Sequence, residues 1–342
     1  MTQAKTAKAE RTSVTRRTGV TRRPSRGALR QQLQQILAFA SLIAIMAFFT
    51  LADPNFLTWS NITGVLLSTA VIGILALGTT FVIITGGIDL SLGTGMTLAS
   101  VMTAVFLVNF GLPFAVGVIG GILFGALMGL INGFNVAVLR IPPFIATLAM
   151  MLIAQGLALV ISGTAPIYFT SVPAFASISR GSLIPGLRLP NAVVILFALT
   201  ALASLILGKS ILGRYTFAIG SNEEATRISG INVRKWMILI YTLSGVFTGI
   251  AGVVIAARLN SAQPALGLGY ELQAIAAVVI GGTSLRGGRG SITGTIIGAL
   301  IMGVLVNGLR IMSIAQEWQT VVIGVVILVA VYSDILRRGK EG

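Results

Sequence analysis

The chain contains neither cysteine nor histidine among its 342 residues. Without cysteine it cannot form a disulfide bond, and without either residue it offers no thiolate or imidazole ligand to a metal ion. Nucleophilic catalysis by Ser-His-Asp or Cys-His groups is excluded for the same reason. These absences remove most classes of enzyme, and the sequence predicts no metal site and no catalytic residue.

Charged residues are scarce as well, at 10% of the chain, whereas hydrophobic residues make up 55%. A soluble domain of average composition has about 25% charged residues. Because so few charges cannot cover a water-soluble protein of this length, most of the surface must face an apolar medium. We therefore predict an all-α, polytopic membrane protein.

The apolar segments set the number of predicted membrane crossings. A helix needs about 20 mostly apolar residues to span a hydrocarbon core of roughly 30 Å. The eighth segment is short, which favours a broken or tilted helix over a full crossing. We predict about ten transmembrane helices within one transmembrane domain at 33–338, at 34–52, 62–85, 93–110, 114–139, 143–162, 190–208, 236–257, 271–282, 291–309 and 318–336.

The basic residues are distributed unevenly. Nine of the 24 lysines and arginines lie in the first 30 positions, which hold almost no large apolar side chains. We predict that residues 1–32 form a disordered cytoplasmic tail near anionic lipid, and we reject nucleic-acid binding. With the N-terminus inside, 20 basic residues fall on the inner side and four on the outer side, as the positive-inside rule expects. Both termini are therefore predicted to be cytoplasmic.

Two loops between the predicted spans are long. The outer loop at 163–190 contains four prolines, and the inner loop at 209–235 carries five basic residues. At the start of the inner loop, Gly208-Lys209-Ser210 matches only the end of a phosphate-binding loop, because Ala203 stands where that motif needs glycine. An apolar helix also precedes it, where the motif needs a strand. We therefore do not expect this chain to hydrolyse ATP itself.

The inner loop contains a segment with the residues that begin and end a short helix. Asn222 or Ser221 can cap its first turn, and Gly230 can end it in the left-handed conformation. We predict a helix of about two turns that docks on a soluble partner, and the alternative is an ordinary solvated turn. The candidate docking residues are Asn222, Glu223, Glu224, Ala225, Arg227 and Gly230.

Asp89 is the most informative acidic residue, because it lies between two apolar spans in the motif Gly86–Gly93. A carboxylate near the membrane interior is costly and usually faces a cavity or a partner. One hypothesis makes Asp89, with the neighbouring Ser91, part of a translocation path or gate. The other makes Asp89 the N-cap of the third helix.

Four amide side chains lie within the apolar spans. They are uncharged, so they suit a neutral solute better than an ion, and each can instead bond a neighbouring helix. The candidates for the path are Asn132, Asn135, Gln155 and Asn307.

Glycine recurs every four residues from Gly117 to Gly133, which predicts a surface where another helix backbone approaches closely. A second pattern is an echo: Gly86-Gly87-Ile88-Asp89-Leu90 is similar to Gly281-Gly282-Thr283-Ser284-Leu285. Each follows the β-branched end of an apolar span. Duplication and glycine-rich turns at helix ends both explain the echo.

Taken in order, these motifs resemble the permease subunit of ATP-binding-cassette (ABC) sugar importers of the ribose, xylose and galactose type. The resemblance extends over about 60–335. The matching stretches are Gly86–Gly93, Asn132-Gly133, Pro143–Leu148, Gly213-Arg214, Ala218–Asn222, Ser229–Ile231, Gly281–Leu285 and Gly287-Gly288.

The resemblance implies a machine of several subunits. Two permease copies would pair in the bacterial inner membrane, and two cytoplasmic ATPase subunits would bind the segments around Asn222–Gly230. ATP would be bound by those subunits, so this chain would need no cofactor. An extracytoplasmic binding protein would deliver a monosaccharide, with a pentose such as ribose expected.

Other functions stay open from the residues alone. A permease of the same family could import a polyol or another small polar solute. A stand-alone ion-coupled carrier would need a carboxylate or basic residue in the membrane, for which Asp89 and Glu271 are the candidates. An intramembrane enzyme is disfavoured by the absence of histidine, cysteine and clustered acids.

Overall fold

A computed structural model describes residues 26–183 and 189–339. Most of the predicted tail, at 1–25, lies outside the described residues, as do residues 184–188 of the outer loop. Where the description begins, at Arg26, the chain is already helical. The last part of the segment predicted as a tail is therefore the start of the first helix.

The described chain is almost entirely helical, as predicted. Two short irregular helices accompany the α-helices: a π-helical turn at Val105–Asn109 and a 3₁₀ turn at Pro173–Ala176. The α-helices are α1 (Arg26–Ala52), α2 (Trp59–Ile84), α3 (Leu92–Ala104), α4 (Phe114–Ala137), α5 (Pro143–Ser162), α6 (Ser177–Arg180), α7 (Asn191–Lys209), α8 (Ile211–Ser221), α9 (Glu223–Ile228), α10 (Val233–Leu259), α11 (Tyr270–Ile280), α12 (Ile292–Ile311) and α13 (Gln316–Gly339).

Within the described residues, seven helices are long and apolar enough to cross a membrane: α2, α3 with its π-helical turn, α4, α5, α7, α10 and α12. Three shorter apolar helices, Ile36–Ala52, Tyr270–Ile280 and Gln316–Tyr332, lie where the first, eighth and tenth spans were predicted. The multi-pass architecture is confirmed. The count of ten crossings is not confirmed, because the described apolar part of each of these three helices is shorter than a full span.

The centre of the bundle is α2, whose most apolar window is 94% buried. It packs against α7, α10, α11 and α12. The corresponding windows of α4, α5 and α7 are only 28% buried, although they are as apolar as α2. Their exposed surfaces, which include Leu123, Leu152 and Leu205, are suited to contact with lipid rather than water.

The predicted glycine surface on α4 is confirmed: Gly125, Gly129 and Gly133 face α10, whereas Gly117 and Gly121 face α3 and its π-helical turn. A Cβ atom built on Gly125 would lie 2.5 Å from the carbonyl oxygen of Gly245 and from the amide nitrogen of Gly249. A Cβ atom on Gly133 would lie 2.7 Å from the Cα atom of Ile238. Because no side chain separates them, the two backbones approach more closely than other residues allow.

The glycine echo corresponds to two helix ends with the same hydrogen bonds. Gly86 after α2 and Gly282 after α11 both have positive φ, at 83° and 91°. The next residue bonds back five positions in each case, from Gly87 to Val82 and from Thr283 to Val278. This Schellman geometry makes Gly86 equivalent to Gly282, one residue later than the sequence comparison suggested.

The outer loop folds back onto the end of α10. Strand β1 (Ile167–Tyr168) pairs antiparallel with strand β2 (Ser261–Ala262). The buried rings of Phe169 and Phe175 stack beneath this pair, with centroids 3.8 Å apart. The loop is therefore packed against the helices along its described part.

Candidate functional site

Asp89 lies in the turn between α2 and α3 and is 2% exposed. Its Oδ1 atom accepts hydrogen bonds from the backbone amide of Ser91, at 2.9 Å, and from the Ser91 hydroxyl, at 2.7 Å. The N-cap position of α3 belongs to Ser91. Our N-cap hypothesis is therefore wrong in its position, because Asp89 closes a turn two residues before the cap.

Ser91 and Thr147 connect this turn to two further helices. Asn132 of α4 donates from its amide nitrogen to the Ser91 hydroxyl, at 2.9 Å. The Thr147 hydroxyl of α5 accepts from the backbone amide of Leu90, at 3.1 Å. The α2–α3 turn is thereby tied to both helices by polar bonds within an apolar bundle.

Tyr241 of α10 completes the group and is fully buried. A Cβ atom on Gly87 would lie 2.6 Å from the Tyr241 hydroxyl oxygen, which places that hydroxyl against the same turn. We name the five residues Asp89, Ser91, Asn132, Thr147 and Tyr241 the Asp89 cluster.

Two oxygen atoms of the Asp89 cluster are buried without a hydrogen-bond partner, namely Tyr241 Oη and Asn132 Oδ1. No described basic residue forms an ion pair with Asp89. Buried polar atoms usually find partners, and those that do not often mark a functional or hydrated site. The cluster can therefore accept further hydrogen bonds at these two atoms, as expected of a site whose contacts change during function.

The other predicted path residues lie apart from this cluster. Gln155 of α5 is half-buried and borders a small cavity, of about 10 Å³, with Thr94 and Thr97 of α3. That space is close to the minimum for one water molecule. Asn307 of α12 is buried, with its Oδ1 atom unpartnered and its Nδ2 atom near Gly64 of α2.

Asn135 lies nearly one helical turn beyond Asn132 on α4 and is half-buried. The structure thus brings Asp89, Ser91 and Asn132 together. It does not bring Asn135, Gln155 or Asn307 into the same group.

Sequence reasoning missed Thr147 and Tyr241 as members of the cluster. Thr147 lies in the Pro143–Leu148 stretch, so a signal was present, but a threonine on an apolar helix more often bonds its own backbone. It does so here as well, donating to the Pro143 carbonyl at 2.9 Å. Tyr241 had no separate signal, because an aromatic residue within an apolar span is ordinary core.

A second buried carboxylate, Glu271, lies at the start of α11. Its Oε1 atom accepts from the Gly269 amide, at 2.9 Å, and its Oε2 atom has no partner. That unpartnered oxygen packs against Gly93, in the first turn of α3. Asp89 and Glu271 therefore flank the start of α3, where the helix dipole favours negative charge.

The predicted docking helix is present as α9. Asn222 is its N-cap, and the Oδ1 atom of Asn222 accepts from the Ala225 amide at 2.9 Å. Glu223 and Glu224 occupy the first turn, and Gly230 has a φ of 83° just beyond the end. The capping residues and the stop thus act as predicted.

The surface of α9 is open to solvent. Only Thr226 of this helix is buried, and Ile228 is 77% exposed. Glu224 and Arg227 form an exposed ion pair. The hydrogen bond from Arg227 and its positive charge lower the pKa of the Glu224 carboxyl, so Glu224 is ionised at neutral pH.

Helix α8, which precedes α9, touches the end of α2. The carbonyl oxygen of Ile84 accepts from the Gly288 amide at 2.8 Å. Gly220 of α8 packs against both, and a Cβ atom there would lie 2.6 Å from the Gly288 nitrogen. We name these three residues the α8–α2 junction. It connects the exposed α8–α9 segment to the helix that leads directly into the Asp89 cluster.

Comparison with known proteins places this arrangement in a family. A family model described as the permease component of branched-chain amino acid transport systems matches residues 61–331. No solved structure matches the chain.

Several curated proteins are similar over nearly the full length. The ribose import permease of Escherichia coli strain K12 is 42% identical over 305 residues, which cover 88% of this chain and 94% of the relative. The ribose import permease of Bacillus subtilis is 43% identical over 88% of this chain and 93% of its own. The fructose import permease of Rhizobium meliloti is 39% identical over 86% and 82%. The resemblance inferred from the motifs is confirmed, and the chain belongs to this family of import permeases.

Proposed function

We propose that the chain is the transmembrane permease subunit of an ABC importer that moves a monosaccharide, with a pentose such as ribose favoured, across the cytoplasmic membrane. The observation that carries the proposal is the α8–α9 segment, a capped and exposed helix whose base packs on the most buried helix of the bundle. Such a helix offers a rigid contact to a soluble subunit. The relatives named above import ribose and fructose, which supports the sugar class.

ATP would be bound and hydrolysed on a separate cytoplasmic subunit that docks on Asn222, Glu223, Glu224, Ala225, Arg227 and Gly230. This chain would therefore be no enzyme and would need no cofactor. A second copy of the chain and an extracytoplasmic sugar-binding protein would complete the importer. ATP and the loaded binding protein must favour different permease conformations, because a ligand shifts an equilibrium only through unequal affinity for its states.

In the proposed topology all ten apolar helices cross or enter the bilayer. The seven long helices would cross fully, α1 and α13 would cross with polar extensions, and α11 would form the helical part of a broken tenth crossing. Its 11 residues extend about 16 Å. This arrangement leaves α8–α9 and both termini in the cytoplasm.

The Asp89 cluster is proposed as a gate at the inner end of the path. It joins four helices through a single turn, and two of its oxygen atoms are unpaired. A passing sugar could bond those oxygen atoms through its hydroxyl groups. Gln155 and Asn307 would serve elsewhere along the path.

The docking proposal is tested with Glu224→Arg in proteoliposomes that contain the permease and the ATPase subunit of the same importer. The change places like charge beside Arg227, so we expect sugar-stimulated ATP hydrolysis and co-purification of the ATPase to fall at least tenfold. The matched control is Glu317→Arg, which alters an exposed acid in the first turn of α13. Unchanged ATPase binding in Glu224→Arg would sink the docking assignment.

Two alternatives give different results in the same vesicles. Import of a polyol would appear as ATP-dependent uptake without competition by pentoses. A stand-alone carrier would take up solute without the ATPase subunit and would respond to an ion gradient. Ligand screening of the partner binding protein would then identify the solute.

A further inference from the structure

A large cavity lies away from the Asp89 cluster and from α9. It occupies about 600 Å³ between α2, α10, α11, α12 and α13. Ligand pockets in proteins typically measure about 300–1,000 Å³. The cavity therefore has room for a small-molecule group.

One end of the cavity is strongly positive. Arg258 lies one residue before the end of α10 and Arg310 one residue before the end of α12, and both line the cavity. Arg180 lies beside them, and its Nε atom donates to the Arg258 carbonyl at 2.6 Å. The three charges are close enough for Arg180 and Arg310 to repel Arg258.

No described carboxylate forms an ion pair with any of these three arginines. The Arg258 guanidinium bonds the Ser68 hydroxyl, at 3.1 Å, which is neutral. Three of the four basic residues predicted on the outer side thus converge without a counter-charge among the described residues. An arrangement of this kind is stabilised by an anion, and arginine binds phosphate oxygens in a bidentate geometry.

The rest of the cavity wall is mixed, with polar side chains from Gln273, Gln316, Gln319 and Thr320 and a larger number of aliphatic ones. Ile72, Ile255, Val306, Ile323 and Ile327 line it. Ile327 lies 11 residues beyond the start of α13, about 16 Å along the helix axis. The cavity is therefore positive at the end of the bundle and apolar towards the middle.

We propose that this cavity binds an anionic phospholipid, with its phosphate on Arg258 and Arg310 and an acyl chain along the aliphatic wall. A neutral sugar could bond the glutamines of the wall, but it would leave the arginines without a counter-charge and would place hydroxyl groups against the aliphatic part. A free phosphate ion would leave the aliphatic part unused. A lipid satisfies both ends, and the arginines lie at the depth where head groups meet water.

The test measures lipid retention by the full-length protein in a neutral detergent, using native mass spectrometry and thermal unfolding. Phosphatidylglycerol is expected to be retained and to raise Tm by several degrees, and phosphatidylcholine and inorganic phosphate are expected to raise it little. In the double variant Arg258→Gln/Arg310→Gln, phosphatidylglycerol binding should fall at least tenfold. The control, Arg214→Gln/Arg234→Gln, removes two exposed arginines elsewhere and should change nothing.

A third variant, Ile327→Trp, keeps the arginines and fills the apolar part of the cavity. It should weaken phosphatidylglycerol binding, and it keeps the proposal testable if the double variant fails to fold. Equal shifts with inorganic phosphate would assign the arginines to a free anion and overturn the lipid. Unchanged lipid retention in the double variant, together with lost docking of the binding protein, would assign them to a protein partner instead.

Discussion

Asp89 shows what a single buried side chain contributes to the turn between α2 and α3. Its Oδ1 atom holds both the backbone and the hydroxyl of Ser91. Asparagine carries the same oxygen atom and can accept the same two bonds. Replacing Asp89 by asparagine therefore tests whether the oxygen atom or the negative charge is required.

We predict that Asp89→Asn keeps most of the sugar uptake, whereas Asp89→Leu loses it because the Ser91 amide is left buried without a partner. An unpaired buried donor costs about 1–3 kcal/mol. Uptake and expression are measured together in cells. If Asp89→Asn expresses normally and still loses uptake, the negative charge itself operates the gate.

Tyr241 offers a second prediction at the same scale. Its hydroxyl is buried and unpaired, so removing it should not weaken folding. Tyr241→Phe is expected to leave the Tm unchanged or raised, by the equivalent of up to about 1 kcal/mol. Tyr215→Phe, on the half-buried α8, serves as the control. A clear loss of stability would show that the hydroxyl holds a bond to Asp89 or to water.

Among the elements, the glycine contact between α4 and α10 brings two helix backbones together without intervening side chains. Gly129→Ala places a Cβ atom 2.9 Å from the Gly245 Cα atom, so the backbones must separate. We expect thermal unfolding in detergent to show a loss of about 1–3 kcal/mol. Gly156→Ala on α5 meets nothing within 4 Å and should be neutral or stabilising. Equal effects of the two changes would contradict the packing explanation.

The α8–α2 junction has its own prediction. Gly220→Ala forces a side chain between the Ile84 carbonyl and Gly288, so α8 must move away from α2. We expect the ATPase subunit still to bind, but sugar-stimulated ATP hydrolysis to fall severalfold. Gly208→Ala, which meets nothing within 4 Å, is the control for adding a methyl group near the same loop. Normal stimulation in Gly220→Ala would show that the junction does not transmit the signal.

The sequence predicted most of these elements because their causes are local. Apolar length predicted the long helices, and Asn222 with Gly230 predicted the bounds of α9. The Asp89 cluster was only partly predictable, since it joins Leu90 to Thr147 and Ser91 to Asn132 across large sequence separations. Contacts between residues so far apart leave no periodic pattern in the sequence from which they could be predicted. Helix α8 was missed because the charges of the inner loop suggested an irregular segment.

At the scale of the whole molecule, the absence of cysteine allows a direct test of topology. A cysteine introduced at the exposed Ser229 after α9 should react with a membrane-impermeant thiol reagent only after the cells are permeabilised. A cysteine at the exposed Ser171, in the outer loop, should react in intact cells. The reverse pattern would invert the orientation, and reaction of both in intact cells would refute the single crossing, α7, between that loop and α9.

Helix α2 has a consequence that reaches across the molecule. It meets α8 at Ile84, and 16 residues earlier, about 24 Å along its axis, Ser68 accepts the hydrogen bond from Arg258. Helix α2 therefore connects the side of the protein where we propose that the ATPase docks to the arginine cavity. A lipid head group bound to Arg258 would also restrain α2 through Ser68. The lipid composition of the membrane would therefore affect the turnover rate of the importer.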